Sequence, residues 1–205
     1  MMRREALAAG AVVLRGFAEP FAAELLADLD RLLVQSPWRH MTTPGGYRMS
    51  VAMTNCGPWG WVSDPTGYRY DALDPLTGHA WPAMPASFLA VATGAASAAG
   101  FEGFVPDACL VNRYEAGAKL SLHQDKDEQD HSAPIVSVSL GMPAVFLFGG
   151  RRRAEAVQRV PLAHGDVAVW GGPARLSYHG VLPLKPGQHA STGACRINLT
   201  FRRAR

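Results

Sequence analysis

The sequence predicts a mainly β fold with flanking helices, an α+β class, and three observations carry that expectation. Both clear helical patterns lie in the N-terminal half. Beyond Asp107 the chain breaks into short β runs divided by Gly, Pro or charged turns. The last of these runs, CRINLTFR, alternates polar and apolar residues, as a strand with two unlike faces does.

In chain order, AVVLRGF (11–17) reads as a strand. Pro20 then opens a helix over FAAELLADLDRLLVQ, where Leu25, Leu26, Leu29, Leu32 and Leu33 recur at helical spacing. From about 36 to 85 the texture turns to Gly, Pro, Trp, Tyr, Met and Thr, with turn signals such as Pro44-Gly45-Gly46. That stretch reads as a lid over a substrate site. MPASFLAVATGAASAAG (84–100) restores helix character, its alanines suited to close packing and Gly100 to a stop. Then follow DACLVNRY, KLSLHQD, PIVSVSLG, AVFLFGG, AVQRVPL, GDVAVWGG and CRINLTFR. Short strands at regular spacing over about 107–205, behind N-terminal helices, predict a jelly-roll core, a double-stranded β-helix with helices on one face.

No low-complexity linker divides the 205 residues, so one domain over 1–205 with one active site is expected. Hydrophobic residues make up 48% of the chain yet never run unbroken long enough for a membrane span. The segment after Arg3 and Arg4 carries Glu5 and Arg15 and is unlike a cleavable signal, which makes a cytoplasmic location the default; a monomer is the separate expectation. Cys56, Cys109 and Cys195 are too scattered for a disulfide framework or a Cys-ligated metal, and read as small buried apolar residues. A net charge of +3 permits a polyanionic partner without requiring one. Only Lys119, Lys126 and Lys185 of the 20 basic residues are lysine, a bias that suits planar recognition of phosphate or carboxylate and that genomic base composition also produces.

His123 and Asp125 in SLHQD are two apart, so on a strand end their side chains project to one face and can reach one metal ion. Alone, such a pair is more often a polar turn. His179 in LSYHGV, in another apparent strand just after Gly171 and Gly172, supplies a third ligand. Two histidines and a carboxylate leave adjacent positions open on the metal, the arrangement of non-haem iron(II) oxygenases, which bind oxygen and a cosubstrate together. His40, His79, His131, His164 and His189 have loop-like surroundings without a matching carboxylate and read as surface residues, His164 the least clearly.

The final strand raises the value of the triad. Arg196, Asn198, Thr200 and Arg202 share one face, opposite Ile197, Leu199 and Phe201. Turned into a barrel, guanidinium groups bind carboxylates through paired charge-assisted hydrogen bonds. A dicarboxylate such as 2-oxoglutarate fits, and Asn112 and Tyr114 in CLVNRY, again two apart, offer an amide and a phenol to the same ligand.

These residues resemble the AlkB family of alkylated-nucleic-acid repair dioxygenases, and within it the founding bacterial member. The resemblance runs from LAAGAVVLRGF through TPGGYRMSVAMTNCG, PDACLVNRY, GAKLSLHQDKDE, PIVSVSLG and HGDVAVWGG to CRINLTFR. It implies that His123, Asp125 and His179 hold Fe(II), that Asn112, Tyr114, Arg196, Asn198 and Arg202 contact 2-oxoglutarate, and that O2 is the second cosubstrate. It further implies that Trp61 stacks on an extruded base opposite His123, with Tyr68, Met53, Asp127, Glu128 and Arg153 near the base or its backbone. Without it, Trp59 and Trp61 would read as packing, DKDEQD as a solvated acidic loop and Arg151 to Arg153 as a solvated basic turn.

The implied activity is oxidative demethylation of N-alkylated bases such as N1-methyladenine and N3-methylcytosine in DNA, single strands preferred and RNA a further candidate, with release of formaldehyde and succinate. Those lesions are cationic, so Asp127 and Glu128 would favour them over normal bases. Arg153, Arg39 and Arg48 are the candidates for phosphate contact. Ser177 departs from the founding member, which has a bulkier aromatic there, and the Arg151 to Arg153 cluster also differs; both bear on packing and strand preference. The triad and Arg202 alone fit hydroxylation of a small molecule or protein side chain equally well. A non-catalytic nucleic-acid-binding module would account for the charge and the aromatics, but not for two complete ligand sets.

Overall fold

The protein is described by a computed structural model over residues 3–205. Two α-helices come first, α1 (Ala22–Gln35) and α2 (Ala86–Ala99), with strands β1 (Arg3–Ala8) and β2 (Ala11–Arg15) before them. Between the helices lie β3 (Ala52–Cys56), β4 (Gly60–Asp64) and β5 (Gly67–Asp71). After α2 come β6 (Ala108–Tyr114), β7 (Leu120–His123), β8 (Ile135–Gly141), β9 (Ala144–Phe148) and β10 (Gln158–Leu162), then β11 (Val167–Trp170), β12 (His179–Val181) and β13 (Arg196–Arg202).

The helices form where the sequence places an apolar stripe. In α1 that stripe is Ala22, Leu25, Leu29 and Leu32, and in α2 it is Phe88, Val91, Ala92, Ala95, Ala96 and Ala99. Pro20 lies in a 3-10 turn (Glu19–Phe21) ahead of α1, and Gly100 ends α2 at φ +95°, a left-handed conformation that a side chain disfavours.

The larger sheet has the order β1-β2-β11-β8-β13-β6-β3 and the smaller one β10-β9-β12-β7, with antiparallel pairing throughout. This is the jelly-roll arrangement expected. Strand alternation divides the larger sheet cleanly. Val12, Leu14, Val136, Val138, Val167, Val169, Leu199 and Phe201 pack against both helices. Val13, Leu110, Tyr114, Ile135 and Trp170 turn the other way, toward Phe146, Phe148 and Val181 of the smaller sheet. The helices therefore cap one face of the larger sheet and leave the space between sheets for the site.

Two elements differ from expectation. β1 had no signal because RREALA is an edge strand with mostly exposed residues, so it lacks an apolar alternation. The presumed lid of 36–85 is also not all lid: β3 pairs with β6 at the edge of the larger sheet, and all five of its residues are buried. Burial on both faces erased its period of two. The separable part is the β4–β5 hairpin with its flanking loops, a two-stranded sheet of its own. Among the described residues, no helix is long and apolar enough to cross a membrane.

Candidate metal centre and cosubstrate pocket

β7 ends on His123 and β12 opens on His179, and the two residues are partners across the antiparallel ladder. Gly180 makes that pairing feasible, since a Cβ there would lie 2.8 Å from the Leu120 carbonyl oxygen. Asp125 follows β7 directly. Candidate ligand atoms of His123, Asp125 and His179 all lie within 4.8 Å of one another, and each histidine Nε2 stands 3.6 Å from Asp125 Oδ1. That spacing exceeds hydrogen-bond reach, so the three groups face a common point without bonding to each other.

The histidine rings are oriented from behind. Nδ1 of His123 is 2.8 Å from the Ser121 carbonyl and Nδ1 of His179 is 3.0 Å from the Ser177 carbonyl. A ring donating from Nδ1 keeps its lone pair on Nε2, the nitrogen aimed at Asp125 and the one a metal would take. Ser177 thus serves His179 through its backbone, which any residue type can do. Burial, aided by the nearby His123 ring, pulls the His179 pKa down to about 4, so the ring is neutral at physiological pH. For Asp125, burial pushes upward, but Arg202 and the two histidines outweigh it and hold the carboxyl well below the usual range. An ionised carboxylate beside a neutral imidazole suits a divalent cation.

The polar face of β13 opens into the same cavity, about 670 Å³ in volume. Arg196 is 1% exposed; Nη2 donates to Ser139 Oγ at 2.9 Å, while Nε and Nη1 have no partner in the protein. Its guanidinium lies 4.9 Å from the Tyr114 ring centroid, and Asn112 Oδ1 is likewise buried without a partner. A buried cation with unused donors beside a phenol fits a carboxylate-bearing ligand, and the idle Arg196 nitrogens are the donors the pocket offers one.

Two of the expected cosubstrate contacts differ in kind. Asn198 accepts from Asn112 Nδ2 (3.1 Å) and Thr200 Oγ1 (2.9 Å), and donates to Ser137 Oγ (2.8 Å) and the Val138 carbonyl (3.0 Å). Those bonds use all its donors and acceptors, so Asn198 orients Asn112 and has no free group for a ligand. Arg202 is committed to carboxylates already, at 2.7 Å from Asp125 Oδ2 and 3.4 Å from Glu128 Oε1.

The β4–β5 hairpin stands over the cavity mouth. Trp61 stacks on Tyr68 with centroids 5.6 Å apart and planes 15° apart, and its Nε1 donates to Asp127 Oδ2 at 2.9 Å. Met53 is buried in the cavity wall on β3, and Arg153 lies exposed at the rim with its guanidinium 5.9 Å from the Tyr178 ring. Glu128 borders the cavity but is only 5% exposed, and its carboxylate meets the Tyr70 hydroxyl at 2.6 Å and Arg175 Nη2 at 3.1 Å. Its charge is thus already matched, which leaves Asp127 as the carboxylate presented to a ligand.

Arg39 is no phosphate contact: it is ion-paired to Asp74 at 2.5 Å, hydrogen-bonded to Ser36 and set over the Trp81 ring. Arg48 is exposed at the cavity rim. Nor are all the remaining histidines surface groups. His131 buries an unpartnered Nε2, and His164 accepts from the Gly141 N–H at 2.9 Å while stacking on His189. Cys56 and Cys109 are buried as expected, directly opposite each other on β3 and β6, whereas Cys195 is half-buried. Sequence reasoning missed Arg175, Tyr70 and Ser139. Only Tyr70 had a cue, its two-residue spacing from Tyr68 in a hairpin.

A cavity between two jelly-roll sheets, with a two-histidine-one-carboxylate cluster beside an unpaired buried arginine, defines a non-haem metal-dependent oxygenase of the kind that uses an acidic cosubstrate. A match to the 2OG-Fe(II) oxygenase superfamily covers residues 10–202. The Alpha-ketoglutarate-dependent dioxygenase AlkB of Salmonella typhimurium is 62% identical over 201 residues, 98% of this chain and 93% of that protein. An Arabidopsis thaliana protein, DNA N(6)-methyladenine demethylase ALKBH1C, is 34% identical over 68% of this chain and 36% of its own length. The solved structure of OsALKBH1 superposes with a TM-score of 0.85 at 30% identity, covering 98% of this chain and all of that one. The chain belongs to the 2OG-Fe(II) oxygenase superfamily, within it to the AlkB dioxygenases, and is a dioxygenase dependent on Fe(II), 2-oxoglutarate and O2.

Proposed function

We propose that this enzyme removes alkyl groups from N-alkylated bases in DNA, N1-methyladenine and N3-methylcytosine foremost, with single strands preferred, acting as a cytoplasmic monomer of one domain. The observation that carries the reading is the hairpin pair Trp61 and Tyr68, held beside Asp127 at the mouth of the metal-bearing cavity. An enzyme acting on a base must lift it from its stack and grip its faces. The indole of Trp61 supplies one such face and the half-buried His123 ring the other. Asp127, fixed by the indole N–H, places negative charge where these methylated bases are positive. The dioxygenase names borne by its relatives, one of them a DNA demethylase, support the same substrate class.

When bound, iron and 2-oxoglutarate would supply hydroxylation of the N-methyl carbon, one oxygen atom of O2 going to that carbon and the other to succinate as the cosubstrate loses CO2; the N-hydroxymethyl base would then release formaldehyde. The chain's own residues do the positioning. His123, Asp125 and His179 would hold the metal through Nε2, a carboxylate oxygen and Nε2. Arg196 and Tyr114 would take a carboxylate of the cosubstrate, with Asn112 beside them, and Arg202 keeps Asp125 ionised. Arg153 and Arg48 at the rim meet the phosphates, and no nucleophilic side chain takes part. The test is anaerobic loading with Fe(II) and 2-oxoglutarate, then exposure to O2 with a single-stranded oligonucleotide carrying one N1-methyladenine. Loss of one methyl group per succinate is expected; turnover of 2-oxoglutarate with the oligonucleotide mass unchanged would redirect the search to another prime substrate.

A further inference from the structure

Asp125 sits at the start of a segment, 124–134, that belongs to no helix or strand. A metal ligand on such a segment needs another device to fix its backbone, because no ladder does so. The structure provides one. Arg175 is 3% exposed, and its guanidinium donates from Nη1 to the Asp125 carbonyl at 2.8 Å, from Nε to the Ala133 carbonyl at 2.9 Å and from Nη2 to Glu128 Oε2 at 3.1 Å. One planar group therefore grips the segment at both ends and in the middle. Arg175 follows the 3-10 turn Gly172–Ala174 and stands four residues before His179, and the Leu176 carbonyl accepts from Gln124 Nε2 at 2.7 Å. Both ligand-bearing segments are thus tied to each other at this point.

We infer that Arg175 is a positioning residue for the iron centre, fixing the Asp125 backbone relative to His179. The inference rests on the metal reading of His123, Asp125 and His179. Charge alone does not account for Arg175, since Glu128 is also paired with Arg202 and receives the Tyr70 hydroxyl. What Arg175 adds is three directed bonds from a rigid fork, two of them to backbone carbonyls, which no other side chain supplies. Partners of this kind behind metal ligands affect metal affinity by about 10- to 100-fold.

Arg175→Lys keeps the buried charge while losing the fork. Mn(II) alone is titrated into metal-free protein and free Mn(II) is followed by EPR, at a temperature where circular dichroism shows the variant folded. Weakening of at least about 10-fold relative to wild type is expected; affinity within about threefold of wild type would overturn the assignment. Should Arg175→Lys not fold, the double variant Arg175→Gln/Glu128→Gln removes one cation and one anion together, leaving Asp125 and Arg202 balanced, and is judged by the same thresholds. His123→Ala separates the two readings: if wild type binds Mn(II) no better than His123→Ala, it is the metal site that fails and not the role of Arg175.

Discussion

Arg196 tests the cosubstrate pocket through effects of opposite sign. In the protein without cosubstrate its guanidinium is buried with one hydrogen bond, to Ser139, and two unsatisfied nitrogens. Burial lowers its pKa from the ordinary guanidinium value, against the favourable influence of Tyr114. An unsatisfied buried donor costs about 1–3 kcal/mol. The Ser139 bond contributes about 1 kcal/mol and the contact with the Tyr114 ring at most about 2. Arg196→Met keeps much of the stem volume and removes all of these together, so the metal-free, cosubstrate-free variant should be as stable as wild type or more so by about 1–3 kcal/mol. That corresponds to a rise of several degrees in melting temperature for a chain of this size, at about 2–4 °C per kcal/mol. Binding should move the other way. Losing one partner of a buried charge pair costs about 2–5 kcal/mol, or about 30-fold to several thousand-fold in Kd. The measurements are thermal melts in EDTA and anaerobic calorimetry of 2-oxoglutarate on Mn(II)-loaded protein. A variant melting more than about 5 °C below wild type, or binding 2-oxoglutarate within about threefold of it, would refute the reasoning.

His123→Ala and Asp125→Ala should each abolish succinate formation, and normal turnover in either would remove the metal assignment. Trp61→Ala should raise KM for a methylated oligonucleotide while 2-oxoglutarate still binds; unchanged KM would exclude base stacking on the indole. The metal-free protein should lose stability on acidification. Because the folded pKa of His179 is about 4 against an unfolded value of 6.5, the unfolded chain binds that proton first. The contribution is complete above pH 6.5 and is lost progressively toward pH 4, on the order of 3 kcal/mol in all. Melts in EDTA should show this slope in wild type and not in His179→Gln; a flat wild-type profile between pH 7 and 5 would contradict it. Arg153→Ala should weaken oligonucleotide binding and reduce the slope of log K against log salt by about one unit, and an unchanged slope would take Arg153 off the phosphate path.

The chemistry was more legible than the frame around it. The Arg196 to Arg202 face rests on a strand period of two, which survives where one face is polar and the other apolar, while Asp125 lies just past the end of β7. That period fails where both faces meet the same environment. β3 is buried on both sides and β1 is largely exposed, so neither alternates, and β3 merges with the lid-like texture of 36–85. Arg39 and Glu128 expose a second limit. Spacing gives the direction of a side chain but not the partner waiting there, and Asp74 and the Tyr70–Arg175 pair come from other parts of the chain. Arg175 was invisible for the same reason, since its acceptors lie some 40 to 50 residues back in the sequence, two of them backbone carbonyls.

The two arginines of β13 show why a partner matters more than a residue type. Both are buried on one face of one strand, and both were expected to meet the same ligand. Arg202 has two carboxylates against it, which raise its pKa against the effect of burial, so its charge is compensated before any cosubstrate arrives. Arg196 has none; burial lowers its pKa, and two of its nitrogens are idle. A compensated cation holds structure, here the ionised state and orientation of Asp125, whereas an uncompensated one draws an anion. The strand thus carries a fixed end at the metal and a receptive end away from it. A dicarboxylate cosubstrate held in this cavity would have a carboxylate answered at Arg196, and from this division of labour Arg196→Met is expected to spare the fold and weaken binding.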